Sequence, residues 1–279
     1  MPDFIDTHQH LIYRDKVGYG WTKDIPALAT GDFTQADYDR LTDGSGIAGT
    51  VFIEVGVDDA DYQTEARFVA GLVGTRGLLG QIASIRPETD AGFDDWLAEC
   101  RHLKVVGFRR ILHESPDRLS QTDTFRRNLR KIGAAGYPFD INVLARQHAV
   151  AVALVRACPD QTYVLDHCGV PDIAGDGFAP WAAGITALAG LPQVVVKLSG
   201  IAAYCHPGTA SVAVFAPYVD HLLATFGPDR MLWGSDWPVV NLGMALPDWI
   251  VASRALIGGL SADEQFAIAQ GTARRVYGL

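Results

Sequence analysis

The chain has 279 residues, 48% of them hydrophobic and 20% charged, and a formal net charge of −9 from 23 basic and 32 acidic side chains. That is enough apolar material for a sizeable core and too little charge for disorder. An acidic chain without a Lys/Arg cluster argues against a nucleic-acid or anionic-membrane surface, though a few local arginines would serve a small anion.

Cys100, Cys158, Cys168 and Cys205 form no CxxC and no dense framework, so they read as reduced thiols of a cytoplasmic protein. The N-terminal residues show no basic-then-apolar signal pattern. Two long uncharged stretches, 177–196 and 198–219, are broken by Gly and Pro, and no membrane span is expected.

Short apolar runs recur along the chain: Asp3–His8, Thr50–Val55, Leu78–Ile85, Val105–Leu112, Pro138–Leu144, Tyr163–His167, Val194–Ser199 and Met231–Asp236. They are rich in Val, Ile and Leu without clean alternation, as in parallel strands covered on both faces. Helices fit between them. Thr34 opens one toward Leu41, with Asp37 in the place of a capping-box Glu. Asp61 is expected to cap Tyr62–Val73. Thr122 or Asp123 starts a helix ending at Ala135, with Gly136 as its stop. Gln147–Ala157 and Val212–Thr225 follow, and Ser261 to Glu264 has the capping-box pattern for a helical tail from about 261. Eight strands alternating with helices predict a single (β/α)8 TIM barrel over 1–279, a fold of about 250 residues. An open doubly wound sheet would want a Gly-rich phosphate turn after an early strand, and none is present.

In such a barrel the chemistry sits at the C-terminal ends of the strands. The first strand ends Asp6-Thr7-His8-Gln9-His10, and residues two apart on a strand face the same way, so His8 and His10 point together into the mouth. Two imidazoles there suit a metal ion or a substrate oxygen. Asp166-His167 ends the sixth strand, Lys197 to Gly200 the seventh, and Gly234-Ser235-Asp236 the eighth. Ionisable groups ending buried strands need a partner or a function, because an unpaired buried charge is costly.

Here the chain resembles a family. His8-Gln9-His10 with a strand-8 Asp236 is similar to the amidohydrolase superfamily. Tyr19-Gly20-Trp21, Gly31 to Asp37, Gly107-Phe108-Arg109, Asp166 to Pro171, Lys197 to Gly200 and Gly234 to Pro238 resemble its amidohydrolase-2 branch over nearly the whole chain. Within that branch the motifs look most like sugar lactonases and pyrone-dicarboxylate lactonase. The resemblance implies a small-molecule lactone substrate, an aldonolactone before others. It also implies either no cofactor or one divalent metal, zinc before others, held by His8, His10, His167 and Asp236. A strand-5 His, usual in metal-dependent members, is missing, since that strand reads Phe139-Asp140-Ile141-Asn142-Val143. This weighs against a dinuclear centre and against the alternative of a metal-dependent amidohydrolase or nonoxidative decarboxylase.

Hydrolysis then has Asp236 as general base for water, and His8, His10 and His167 as carbonyl-polarising groups, directly or through one divalent ion. Arg109 is expected to grip substrate and, by alternation, Arg110 to point away. Glu54, Trp21, Lys197 and Asp140 complete the expected substrate contacts, though for Lys197 a structural pairing with Asp166 or Glu54 is favoured over a substrate hydroxyl. Trp21 and Tyr19 lie in the first connection, long enough for a pocket wall.

Overall fold

The computed structural model describes all 279 residues. Eight strands run in the order β1 (Phe4–Gln9), β2 (Ile47–Ile53), β3 (Leu78–Ser84), β4 (Val105–Ile111), β5 (Phe139–Asn142), β6 (Tyr163–Leu165), β7 (Val194–Leu198) and β8 (Met231–Trp233). Each pairs in parallel with the next. The ring closes beyond β8, where Asp236 N donates to His8 O and His10 N donates to Trp237 O, both at 2.8 Å. The strands thus form a nearly closed (β/α)8 barrel, in agreement with the sequence pattern.

Around them lie α1 (Gln35–Thr42), α2 (Tyr62–Ala70), α3 (Phe93–Cys100), α4 (Asp123–Ala134), α5 (His148–Ala157), α6 (Phe178–Ala189), α7 (Val212–Phe226), α8 (Leu246–Ile257), α9 (Ala262–Phe266) and α10 (Thr272–Tyr277). Thr34 and Asp37 form the capping box of α1, and Ser261 and Glu264 that of α9. Thr122 caps α4 by accepting from Phe125 N. Asp61 does not cap α2: its carboxylate accepts instead from Gly18 N at 2.8 Å, tying down the first long connection. Helices α3, α6 and α8 carry no polar N-cap side-chain bond, which is why their starts were illegible in the sequence. No helix is long and apolar enough to cross a membrane.

The apolar interior has two parts. A large cluster lies between the strands and the helices. A small one fills the barrel, built from Ile5, Val51, Ile53, Ile82, Val164, Val195 and Leu232, with Ala273 and Tyr277 of α10. The C-terminal helix therefore closes the barrel at the end opposite the polar mouth. Above that apolar layer the inward positions turn polar: Arg109 on β4, Asp140 and Asn142 on β5, Lys197 on β7.

Candidate active site

Strand alternation alone does not aim the site residues. Ile5 and His8 both enter the barrel interior although they are three apart, because the β1–β2 register shifts between Asp6 and Gln9. The shift sends Asp6 to the outer side, where Tyr38 Oη donates to Oδ2 (2.6 Å), and Ser235 N (2.8 Å) and His8 N (3.0 Å) donate to Oδ1. Asp6 therefore stitches the end of β1 to the loop after β8. Burial nevertheless pushes its carboxyl up.

His167 and Asp236 were expected on strand ends, and the structure corrects this. β6 stops at Leu165 and β8 at Trp233, so both residues sit in turns beyond the strands. Both have left-handed backbone, φ +52° for His167 and φ +60° for Asp236. For residues with a Cβ that conformation costs of order 1–3 kcal/mol each and persists only where the surroundings enforce it. They do: Trp181 Nε1 donates to Cys168 O (2.8 Å), and His148 Nε2 lies 2.7 Å from Gly169 O. Two glycines leave room. A Cβ on Gly200 would come within 2.4 Å of His167 Nδ1, and one on Gly234 within 2.6 Å of the His8 Cβ.

The result is a compact group at the mouth. Asp236 Oδ1 lies 3.4 Å from His10 Nε2 and 3.7 Å from His8 Nε2, and its Oδ2 lies 3.8 Å from His167 Nδ1. The Asp236 side chain is 2% exposed, yet neither of its oxygens accepts a hydrogen bond from a protein group. His10 Nδ1 donates to Ile53 O at 2.9 Å, which leaves its Nε2 as a lone pair facing Asp236. His167 Nδ1 also lies 3.2 Å from Ser199 Oγ. Burial depresses both His8 and His167; for His8, the opposing Asp166 is outweighed with help from His167 and Lys197, and its pKa falls well below the usual range. Both rings are therefore neutral at pH 7.

One layer down the charges are paired. Arg109 points inward: its Nε donates to Glu54 Oε1 (2.6 Å) and its Nη1 to Asp166 Oδ2 (3.3 Å). Arg110 turns out to Glu88. Lys197 pairs with Asp140 and with Asp166 Oδ1 (3.1 Å). Burial pushes the Asp166 carboxyl up, but Lys197, His8 and Arg109 together hold it well below the usual range. Burial raises Asp140 to about 7 against the pull of Lys197. Lys197 and Asp140 have no solvent exposure and Glu54 has 1%, so these three expected substrate contacts lie beneath the cavity and not on its wall.

A cavity of about 290 Å³ covers the group, walled by His10, Trp21, Arg109, Asn142, His167 and Asp236 together with Gly56, His113, Tyr204 and Val239. Trp21 is fixed there by Nε1 donating to Val55 O (2.9 Å). Tyr19 is buried, with its hydroxyl accepting from Tyr13 N, and does not reach the cavity. Trp237 packs edge-on against Tyr38 and Phe33. A larger hollow, about 580 Å³, adjoins it and shares Ala203 and Tyr204, but none of the imidazoles or Asp236 faces it. The smaller cavity is therefore the one that the imidazoles and Asp236 face. Sequence reading missed Asn142 and Tyr204. Asn142 was within reach, being two residues after Asp140 on the same inward face; Tyr204 ends a short 3-10 turn after β7 and left no signal.

The donor set suits a metal ion. His8, His10 and Asp236 each offer a ligand atom within 4.8 Å of the others, as do His8, Asp166 and His167. The Ile53 carbonyl holds His10 in the tautomer that ligation needs.

Fold and site together define a barrel hydrolase with a His/His/Asp mouth. The chain belongs to the amidohydrolase family, whose model matches residues 5–279. It is 30% identical to an L-fucono-1,5-lactonase of Burkholderia multivorans, over 99% of this chain and 96% of that one. It is 28% identical to a 4-sulfomuconolactone hydrolase of Rhizobium radiobacter, over 84% and 75%. In structure it resembles an amidohydrolase from Burkholderia multivorans crystallised with zinc, with a TM-score of 0.90 over 99% of both chains and 26% identity.

Proposed function

We propose that this enzyme opens a lactone to its hydroxy acid, with a sugar aldonolactone as the first candidate substrate. One observation carries the reading. Asp236 is almost fully buried at the cavity floor, within 4 Å of three imidazoles, and its carboxylate is hydrogen-bonded by none of them. A buried carboxylate left open in this way suits a water molecule.

In this scheme Asp236 takes a proton from that water as its oxygen attacks the lactone carbonyl carbon. The carbonyl oxygen becomes an oxyanion, then the ring C–O bond breaks, and Asp236 returns the proton to the departing ring oxygen. His10 and His167 flank the reacting carbonyl. The neutral ring of His167 can offer an N–H to the developing oxyanion, whereas His10 donates its N–H to Ile53 O and presents a lone pair. Arg109 contributes its charge more than a grip, since Glu54 and Asp166 already hold most of its N–H groups. Trp21 offers an apolar face to a sugar ring, and the Asn142 amide a polar contact.

His8, His10 and Asp236, with His167 alongside, would hold a divalent ion such as zinc. When bound it would polarise the carbonyl and lower the pKa of water. The nonoxidative decarboxylase alternative finds Asn142 on β5 where it wants an imidazole. Four unpaired thiols fit a reducing compartment such as the cytoplasm.

A panel of aldono-1,4- and 1,5-lactones, pyrone and muconolactones, followed with a pH indicator, tests the reading. Acid release from at least one is expected; silence across the panel overturns it. Elemental analysis of chelator-treated enzyme decides the metal's role. Full activity without bound metal removes the Lewis acid.

A further inference from the structure

The smaller cavity carries polar groups that the fold leaves without partners. Asn142 closes β5, lines the cavity and is 5% exposed. Its Oδ1 is shut off from solvent and accepts no hydrogen bond. An unpaired buried amide is costly, so such a group is retained where a ligand completes it. His113 stands beside it. Ile111 pairs with Asn142 across β4 and β5, Leu112 N donates to Asn142 O at 3.1 Å, and His113 follows. His113 lines the same cavity, and its buried Nδ1 has no partner either. Burial lowers its pKa, so the ring is neutral at pH 7.

Charge on the cavity wall is unfavourable to an anion. Its charged residues are Arg109, Glu114 and Asp236. The single cation among them is occupied. Arg109 Nε and Nη2 donate to Glu54, and Nη1 faces Asp166 Oδ2 and His8 Nε2, both at 3.3 Å. Those contacts leave a single N–H, on Nη2, whereas a bidentate grip on a carboxylate or sulfonate uses two. The next arginine, Arg146, lines the adjoining hollow and lies 3.8 Å from Asp117. An anionic ring substituent entering the smaller cavity would lose its hydration without gaining a free counter-charge.

A hydroxyl meets the opposite reception. It can donate to a bare amide oxygen or imidazole nitrogen and can accept from an amide N–H, so it satisfies either edge of Asn142. A carboxylate can only accept.

We propose that Asn142, with His113 beside it, is the hydroxyl-reading edge of the cavity, and that the enzyme selects neutral, hydroxylated lactones over lactones carrying a carboxylate or sulfonate. Asn142 is then a specificity-determining residue that touches the substrate ring away from the bond being cleaved. The proposal rests on the lactone reading above and deepens it.

The test is a matched set of lactones of one ring size, followed with a pH indicator. It comprises a neutral aldonolactone, its analogues lacking one ring hydroxyl, and the aldaric acid monolactone, in which a carboxylate replaces the terminal hydroxymethyl. Wild type should prefer the aldonolactone over the monolactone, and over at least one deoxy analogue, by about 10- to 100-fold in kcat/KM, the usual cost of stranding one partner of a buried hydrogen bond. Asn142→Ala should lose that factor on the aldonolactone and leave the same deoxy analogue unchanged, which closes the gap. Should Asn142→Ala fail to fold, Asn142→Ser should narrow the gap in the same sense. A wild type that turns over the monolactone as well as the aldonolactone, or an Asn142 variant that slows every analogue alike, overturns the proposal. Saturation-transfer NMR with a 1,5-anhydroalditol, which has the ring and hydroxyls but no ester, needs no hydrolysis. Wild type should bind it and Asn142→Ala should not; equal signals from both, or none from wild type, overturn the proposal. Silence across the lactones would sink the hydrolytic reading and leave this binding result decisive.

Discussion

Asp166 and Asp236 are the same residue type at equivalent places, just past β6 and β8, and the protein treats them in opposite ways. Asp166 is ringed by cations: Lys197 and Arg109 lie against it with His8 alongside, and its carboxyl is held well below the usual range, although its Oδ1 accepts no hydrogen bond. Asp236 is equally buried but has only imidazoles at 3.4–3.8 Å and no hydrogen bond to its carboxylate. A carboxylate paired with buried cations stays ionised and holds structure. An open one costs stability and is retained where water or substrate completes it. The proposed reactivity thus falls to the upper layer, and the layer beneath it is held by charge pairing.

That contrast can be broken by experiment. The largest effect is expected from Asp236→Asn, which keeps the shape and removes the base. Activity should fall by about 10²- to 10⁴-fold, as for loss of general base catalysis, with the melting curve unchanged. Near-wild-type turnover would make Asp236 another structural carboxylate. Asp166→Ala should show the reverse emphasis, because Lys197, Arg109 and His8 lose a shared counter-charge in the interior. Urea denaturation should reveal a loss of about 3–5 kcal/mol, the usual cost of breaking a buried pair from one side. A variant as stable as wild type would mean that the lower layer is not held by charge pairing.

The smallest effect concerns Glu65, which sharpens the comparison with a third buried carboxyl. It packs beside Glu54 and accepts from Val55 N, and burial with the Glu54 charge raises it well above the usual range. A raised folded pKa contributes stability that is complete below the unfolded value of about 4.3 and is lost as pH rises through the folded one. Glu65→Gln should therefore gain on wild type progressively from pH 4 to pH 8 in denaturation experiments. A constant difference across that range would show that Glu65 does not hold its proton in the native state.

Much of this was legible in the residues. The strand repeat and the caps at Thr34, Thr122 and Ser261 are local features, decided by side chains within a few positions of one another. Strand alternation lets only one of Arg109 and Arg110 face inward, and the family resemblance pointed to Arg109, which the structure places inward. His8, His10, His167 and Asp236 stood out because polar groups ended apolar runs. A structural pairing of Lys197 with Asp166 was expected because a buried lysine needs an acidic partner, and it is present, but the burial of Asp140 and Glu54 beneath the cavity was not legible. Whether an inward residue meets solvent depends on its height in the barrel, and that height depends on the register of neighbouring strands. Asp61 likewise had a stronger claim on it than its own helix, the distant Gly18 N–H.

The sequence alone determined the eightfold strand–helix alternation, the polar mouth and the family pattern, since periodicity and residue type are carried by the chain itself. Only the tertiary structure decided which carboxylate stays open and which is paired with buried cations. Partners of Asp166 come from β1, β4 and β7, up to 158 residues away along the chain in the case of His8. Screening by such partners, and the burial that strengthens it, exists only once the barrel has closed.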